Sequence, residues 1–450
     1  MSLASSSAAG TYELDRAHVL HSWSAQAELD PMVVERAEGV HVWDGEGRRY
    51  LDFTSQLVNT NIGHQHPAVV QAIREQAEQL CTISPACATE PRSRAARLIA
   101  ERTPEGLDKV FFTNGGAEAV ENAVRMARLH TGRHKVLSRY RSYHGATTTA
   151  INLTGDPRRW PNEQSGAGTV HFFGPHPYRS PFHSADEGEE CRRALEHLEQ
   201  VIELEGPETV AALVLETVPG TAGIMQPPPG YLRGVRELCD RYGIVYIADE
   251  VMAGFGRTGA WFAVEHYDVT PDLIAFAKGV NSGYVPLGGV AVNEAIASTF
   301  DHRAYPGGLT YSGHPLACAA AVAAITAMDE EGIVDNAAAI GAEVLGPGLR
   351  ELAERHPSIG DVRGLGVFWA LELVTDRATK EPAAPYGGSS PVMKRFMAEC
   401  AEAGLLIPTT YHRVHVVPPC TITAQQAREG LAVLDGALDA VDRTLAEQRG

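Results

Sequence analysis

The stretch PDLIAFAKGVNSGYVPLGG, Pro271 to Gly289, puts a lysine directly after an apolar run, Leu273 to Ala277, that reads as a buried strand. Desolvation disfavours the charged form of an amine in such surroundings, so Lys278 either snorkels to solvent or serves as a reactive nitrogen. The other strand-like runs decide between the two.

Those runs are KVFFT (109–113), KVLSRY (135–140), VAALVLE (210–216), IVYIADE (244–250) and GGVAV (288–292), alternating with helical patterns such as AEAVENAVRMARLHTG and GYLRGVRELCDRYG. Runs apolar on both faces and separated by helices predict an α/β domain with a mainly parallel, helix-covered sheet. After a helical stretch from about Pro315 to Arg355, the pattern changes. VRGLGVFWALEL (362–373), a Pro/Gly/Ser loop, a helix, RVHVVPP (413–419) and a last amphipathic helix read as a smaller α+β domain. Near the start, GVHVWDGEGRRYLDF reads as a hairpin about its Asp-Gly-Glu-Gly turn. The expected organisation is an N-terminal segment (1–65) packing with the small domain, a large domain (66–325) and the small domain itself (326–450).

The 450 residues are 44% hydrophobic and 21% charged, an ordinary globular composition, and the net charge of −18 repels nucleic acid and anionic membranes. Cysteines 81, 87, 191, 239, 318, 400 and 420 are odd in number and scattered, which argues against a disulfide framework or a zinc site. No run reaches the roughly 18 apolar residues of a membrane helix, and the start has no signal-peptide pattern. The expectation is a cytoplasmic protein with no metal, no membrane partner and a frayed first dozen residues.

In open parallel sheets, ligands bind beyond the carboxyl ends of the strands, so the polar residues ending each run belong together. In TNGGAEAV, Gly115 and Gly116 lead into a helix; they form a tight turn or a cradle of backbone N–H groups for a phosphate. Asp249 in IADEVMAGFGRTG is a helix cap, a metal ligand or the partner of a cation. Beside a heteroaromatic ring it would keep a ring nitrogen protonated, with Val251 against the ring face. In RYRSYHGAT, Tyr143 or His144 can stack on a planar ligand. Phosphate cradle, stacking ring, anionic partner and amine together suit pyridoxal 5′-phosphate, whose aldehyde condenses with a lysine.

The motifs TNGGAEAVENAVRMAR, YHGAT, DEVMAGFGRTG, DLIAFAKGVNSGYVPLGG and GGLTYSGHPLACAAA, in this order, resemble the class III (ω-) aminotransferases of fold type I, over roughly Gly39 to Thr423. The resemblance implies a seven-stranded-type sheet in the large domain and a homodimer or higher homo-oligomer with a shared active site. It implies Lys278 as the Schiff-base lysine, Asp249 as the pyridinium partner and Val251 on the ring face. Gly116 and Ala117, with Gly115, match the phosphate turn, and Tyr143 the stacking aromatic with His144 beside it. Glu216 matches the acid near the cofactor hydroxyl, and Thr310 a threonine reaching the neighbouring subunit's phosphate.

Two departures stand out. The phosphate turn reads Gly-Gly-Ala where the family often has serines. The places of the family's carboxylate-binding arginine read Pro408 and His415, with Arg413 two residues before His415 on what would be one strand face. Trp23 and Val58 resemble amine-pocket residues. The implied reaction moves an amino group from an ω-amino acid or amine, such as taurine or β-alanine, to 2-oxoglutarate or pyruvate. The alternatives are decarboxylation, racemisation, amino-group migration or elimination on the same fold, and, more remotely, a non-enzymatic regulator.

Overall fold

All seven residues of Val210–Glu216 are buried, as a strand covered on both faces requires. In the computed structural model, which describes residues 7–164 and 168–449, this strand lies inside a seven-stranded sheet. Its strands are β1 (Lys109–Thr113), β2 (Lys135–Arg139), β3 (Thr169–Phe172), β4 (Val210–Glu216), β5 (Val245–Asp249), β6 (Leu273–Phe276) and β7 (Gly288–Val292). They run in the order β1-β7-β6-β5-β4-β2-β3. Only β7 runs against the rest: β2 to β6 pair in parallel, and β1, paired antiparallel with β7 alone, points the same way as they do, so the carboxyl ends of all six share one edge.

Strand β3 has no counterpart among the apolar runs of the sequence. It pairs only with β2 at the sheet edge and is mostly half-buried, so its mixed composition, TVHF, carries no buried-strand signature. Part of the dozen residues expected to fray is helical: Ala8–His18 is a helix whose Ser7 Oγ accepts the Gly10 N–H at 3.2 Å. Residues 1–6 lie outside the described residues.

The N-terminal hairpin forms from His41–Asp44 and Arg49–Asp52, with Val34–Glu38 added outside. Its inner strand pairs in parallel with Leu405–Leu406, and Phe53 N–H donates to the Leu406 carbonyl at 2.9 Å. Ile359–Leu365, Phe368–Asp376, Arg413–Val416 and Thr409–Thr410 build the C-terminal sheet. One apolar cluster runs from Phe53 through Phe255 and Phe276 to Trp369 and Val416. Each such side chain, buried in full, contributes about 1.5–3 kcal/mol, and their continuity ties the hairpin and C-terminal sheet to the edge where β5 and β6 end. Among the described residues no helix is long and apolar enough to cross a membrane.

Candidate active site

Glu216 ends β4 and Asp249 ends β5, and the parallel register sets them side by side. Both are buried, which is costly for carboxylates unless donors and cations surround them. Glu216 accepts the Tyr143 N–H on Oε1 and the Gly220 N–H on Oε2, both at 2.9 Å. Burial pushes its carboxyl above the ordinary value; the His144 charge opposes this and Asp249 adds to it.

Asp249 accepts the Val251 N–H on Oδ1 at 3.1 Å, a local turn that orients the carboxylate. On Oδ2 it accepts His144 Nδ1 at 2.7 Å, while His144 Nε2 lies 3.3 Å from Ser138 Oγ. Burial works against a charged His144, but the hydrogen bond and charge of Asp249, with Glu216 beyond, raise its pKa above the ordinary value. His144 is buried, with its Nδ1 committed to Asp249.

Lys278 follows β6 by two residues and opens a short 3₁₀ turn with a left-handed φ of 47°. Desolvation lowers its pKa, Asp249 and Glu216 oppose that, and Arg158 and Arg257 add to it. The amine is thereby biased toward its neutral, nucleophilic form.

These strand ends open on a cavity of about 480 Å³. Its wall includes Gly116, Ala117, Tyr143, His144, Glu216, Asp249, Val251 and Lys278, together with Trp23, Val58, Pro408 and His415. Gly115 caps the helix Gly116–Thr131, whose first N–H groups lack partners within the helix. A Cβ on Gly116 would stand 2.7 Å from Val251 Cγ1, so only glycine lets this turn approach the valine. A turn rich in free N–H groups, an apolar valine, a buried carboxylate and an amine face one space, which fits a phosphorylated pyridine aldehyde.

On the outer wall, the ring of Tyr143 lies under the Arg158 guanidinium, 3.7 Å from Cζ to the ring centroid, and Trp23 meets Tyr143 edge-on at 6.2 Å. Arg158 Nε bonds both oxygens of Asp156 at 3.1 and 3.0 Å, and Nη2 bonds Asp156 and, at 3.1 Å, Thr221 Oγ1. Among the described residues nothing hydrogen-bonds Nη1, which leaves that edge of the fork for a ligand.

Residues 23–438 match the family aminotransferase class-III. The chain belongs to the class-III aminotransferases. It is 35% identical to the taurine–pyruvate aminotransferase of Rhodobacter capsulatus, over 96% of this chain and 95% of that protein. Against the 5-aminovalerate aminotransferase of Pseudomonas aeruginosa it is 37% identical, over 92% and 94%. Among solved structures, the taurine:2-oxoglutarate aminotransferase of Bifidobacterium kashiwanohense, in complex with PLP and glutamate, superposes with a TM-score of 0.95. Identity there is 42%, with 98% of this chain and 99% of that one covered.

In this class-III aminotransferase the substrate side differs from the sequence reading. Arg413 does not line the cavity. Its guanidinium is buried against the carbonyls of Ala222 and Thr410, and it sits opposite Glu372 in the register. His415, two residues on, does reach the cavity; desolvation and then Arg413 lower its pKa to about 3, so it is a neutral imidazole with a buried, unpartnered Nε2. Thr310 is exposed in a separate recess with Gly307, Gly308 and Ser312, away from this chain's own cavity.

Arg158 and Thr221 are the residues that sequence reasoning missed. The available signal was GDPRRW: an aspartate capping a Pro-initiated turn, with its side chain accepting the Arg158 N–H at 2.9 Å and so fixing the arginine that follows.

Proposed function

We propose that this aminotransferase takes its amino group from a donor carrying an acid group distal to the amine, an ω-amino acid or an aminosulfonate such as taurine. The acceptor is a 2-oxo acid, 2-oxoglutarate or pyruvate. The observation that carries this reading is Arg158, the one arginine in the cavity wall among the described residues. Its planar fork suits carboxylate and sulfonate oxygens, and Asp156 holds it in place from the opposite edge.

Class-III aminotransferases use pyridoxal 5′-phosphate, which when bound supplies an aldehyde for amines and a protonated ring that withdraws electrons. In our reading Lys278 holds the cofactor and then moves the proton at the substrate carbon. Asp249, oriented by its hydrogen bond to His144, holds the ring nitrogen's proton. Gly115, Gly116 and Ala117 take the phosphate through backbone N–H groups. Val251 and Tyr143 take the two faces of the ring, and Glu216 stands by its hydroxyl. Trp23, Val58 and His415 shape the amine pocket. Thr310 completes the phosphate site of a second copy, in a cytoplasmic homodimer. Within each chain, residues 66–325 carry the cofactor site, and segments 1–65 and 326–450 form its cover.

Decarboxylation or racemisation on the same fold is not favoured, since the relatives named above are aminotransferases. The test is a half-reaction screen: loss of the loaded enzyme's visible absorbance on adding taurine, β-alanine, 4-aminobutyrate, L-alanine or propylamine without an oxo acid. Taurine and β-alanine are expected to react fastest. A faster reaction with propylamine, which has no acid group, would overturn the proposal; L-alanine serves as the control for pyruvate as acceptor, since it is the amine that pyruvate yields.

A further inference from the structure

Arg257 heads the fully buried side chains by volume, with 0% exposure, and among the described residues it meets no carboxylate within salt-bridge distance. Its partners are neutral oxygens. Nη2 donates to Ser55 Oγ at 3.1 Å and to Asn61 Oδ1 at 2.8 Å, and Nη1 donates to the carbonyls of Pro418 and, at 3.5 Å, Val367. A buried cation with no anion in contact carries a desolvation cost, so the fold maintains this one against a penalty.

One arm of the fork, Nη2, holds both ends of a loop that lines the catalytic cavity. The first end is Ser55, which opens a run of left-handed residues: Ser55 at φ 42°, Gln56 at 60° and Val58 at 57°. A β-branched residue in that region is strained and persists only where its surroundings impose it. Gln56, Leu57 and Val58 form cavity wall.

The same Nη2 holds the other end of the loop, Asn61, whose Nδ2 donates to the Phe255 carbonyl at 2.7 Å. A Cβ on Gly279 would stand 2.4 Å from Asn61 Nδ2 and 2.9 Å from Phe255 Cβ, so Asn61 packs directly on the residue after Lys278. Next to it, Ile62 N–H donates to Ser282 Oγ at 3.0 Å, fastening the same two loops together.

We propose that Arg257 is a positioning residue for amino transfer: one buried guanidinium clamps the Ser55–Asn61 loop against Gly279 and thereby sets the direction in which Lys278 enters the cavity. The inference rests on the reading of Lys278 as the reacting amine. The clamp also brings an unneutralised positive charge to bear on that amine, which faces Asp249 and Glu216 on one side of the balance and Arg158 and Arg257 on the other.

The test compares Arg257→Gln, Arg257→Lys and Lys278→Ala in the full chain. Three quantities are read: kcat and KM of the loaded enzyme, melting temperature, and the pH midpoint for reductive methylation of Lys278 in the cofactor-free protein, followed by peptide mass. Arg257→Gln is expected to lower kcat about tenfold or more, with KM for the oxo acid within about twofold, because aim rather than binding is lost. It should also raise the methylation midpoint, since removing a positive charge eases protonation of the amine. Arg257→Lys should restore the midpoint but not kcat, the charge being kept and the fork lost. A lower melting temperature with kcat and midpoint both unchanged would overturn the proposal. Where Arg257→Gln fails to fold, Asn61→Ala takes its place: a lower kcat with an unchanged midpoint is expected, and an unchanged kcat overturns the clamp. Activity surviving in Lys278→Ala would instead remove the reading of Lys278 and leave the clamp geometry standing.

Discussion

Asp249 Oδ2 and His144 Nδ1 are 2.7 Å apart, and both side chains are buried. Against the effect of burial, the hydrogen bond and charge of Asp249 raise the folded-state pKa of His144 above the ordinary 6.5. Stability from the pair is therefore fully present below pH 6.5 and is lost as pH rises through the raised folded value. His144→Gln should destabilise the cofactor-free protein by about 3 kcal/mol in mildly acidic buffer, and by less as the pH rises past neutrality. Denaturant melts of both proteins across that range measure the difference; a pH-independent gap would contradict the pairing.

Gly116→Ala should weaken cofactor binding, because the added methyl would stand 2.7 Å from Val251 Cγ1. Relief requires the valine or the phosphate turn to shift, at about 1–3 kcal/mol. Titration of the cofactor-free variant with pyridoxal phosphate should show affinity roughly tenfold weaker or worse, with the melting temperature little changed.

Much of this site is legible in the sequence because it sits where uniform strands end. Val210–Glu216 is buried throughout, so the acid closing it stands out against the run, and the same contrast picks out Asp249 and Lys278. The substrate side is harder to read. Arg158 lies on a short turn whose importance comes from a tertiary contact with Tyr143, more than a dozen residues back, and no local pattern encodes that contact. Arg413 and His415 follow the strand alternation, yet the carbonyl of Ala222, nearly two hundred residues away, draws the arginine off the cavity. Strand β3 escapes notice for the same reason that it is an edge: half-buried residues leave no periodic signal.

Arg158→Ala should discriminate among donors. For taurine or β-alanine, kcat/KM is expected to fall about 30-fold or more, as truncating one member of a buried charge contact costs about 2–5 kcal/mol. Propylamine, which has no acid group, should change by no more than about twofold. Equal losses for all three donors would show that Arg158 acts by supporting Tyr143 and not by binding the acid.

Thr310→Ala tests the shared site. The threonine is exposed and does not line its own chain's cavity, and the phosphate turn supplies no serine hydroxyl. Losing one hydrogen bond to a charged group, about 1.5–3 kcal/mol, should weaken cofactor retention roughly tenfold or more. Cofactor release and subunit dissociation should then rise together on dilution, as sedimentation at stepped concentrations would record. A fully active monomer would contradict the assignment.

Borohydride reduction of the loaded, full-length protein followed by peptide mass mapping tests most directly whether Lys278 is the amine that carries the cofactor. Lys278 is the lysine placed between Asp249 and the phosphate turn, whereas Lys109, Lys135, Lys380 and Lys394 lie elsewhere in the chain. The expected result is a phosphopyridoxyl group on the peptide containing Lys278 and on no other. Label on any of the other four lysines with Lys278 unmodified would contradict the assignment of this site.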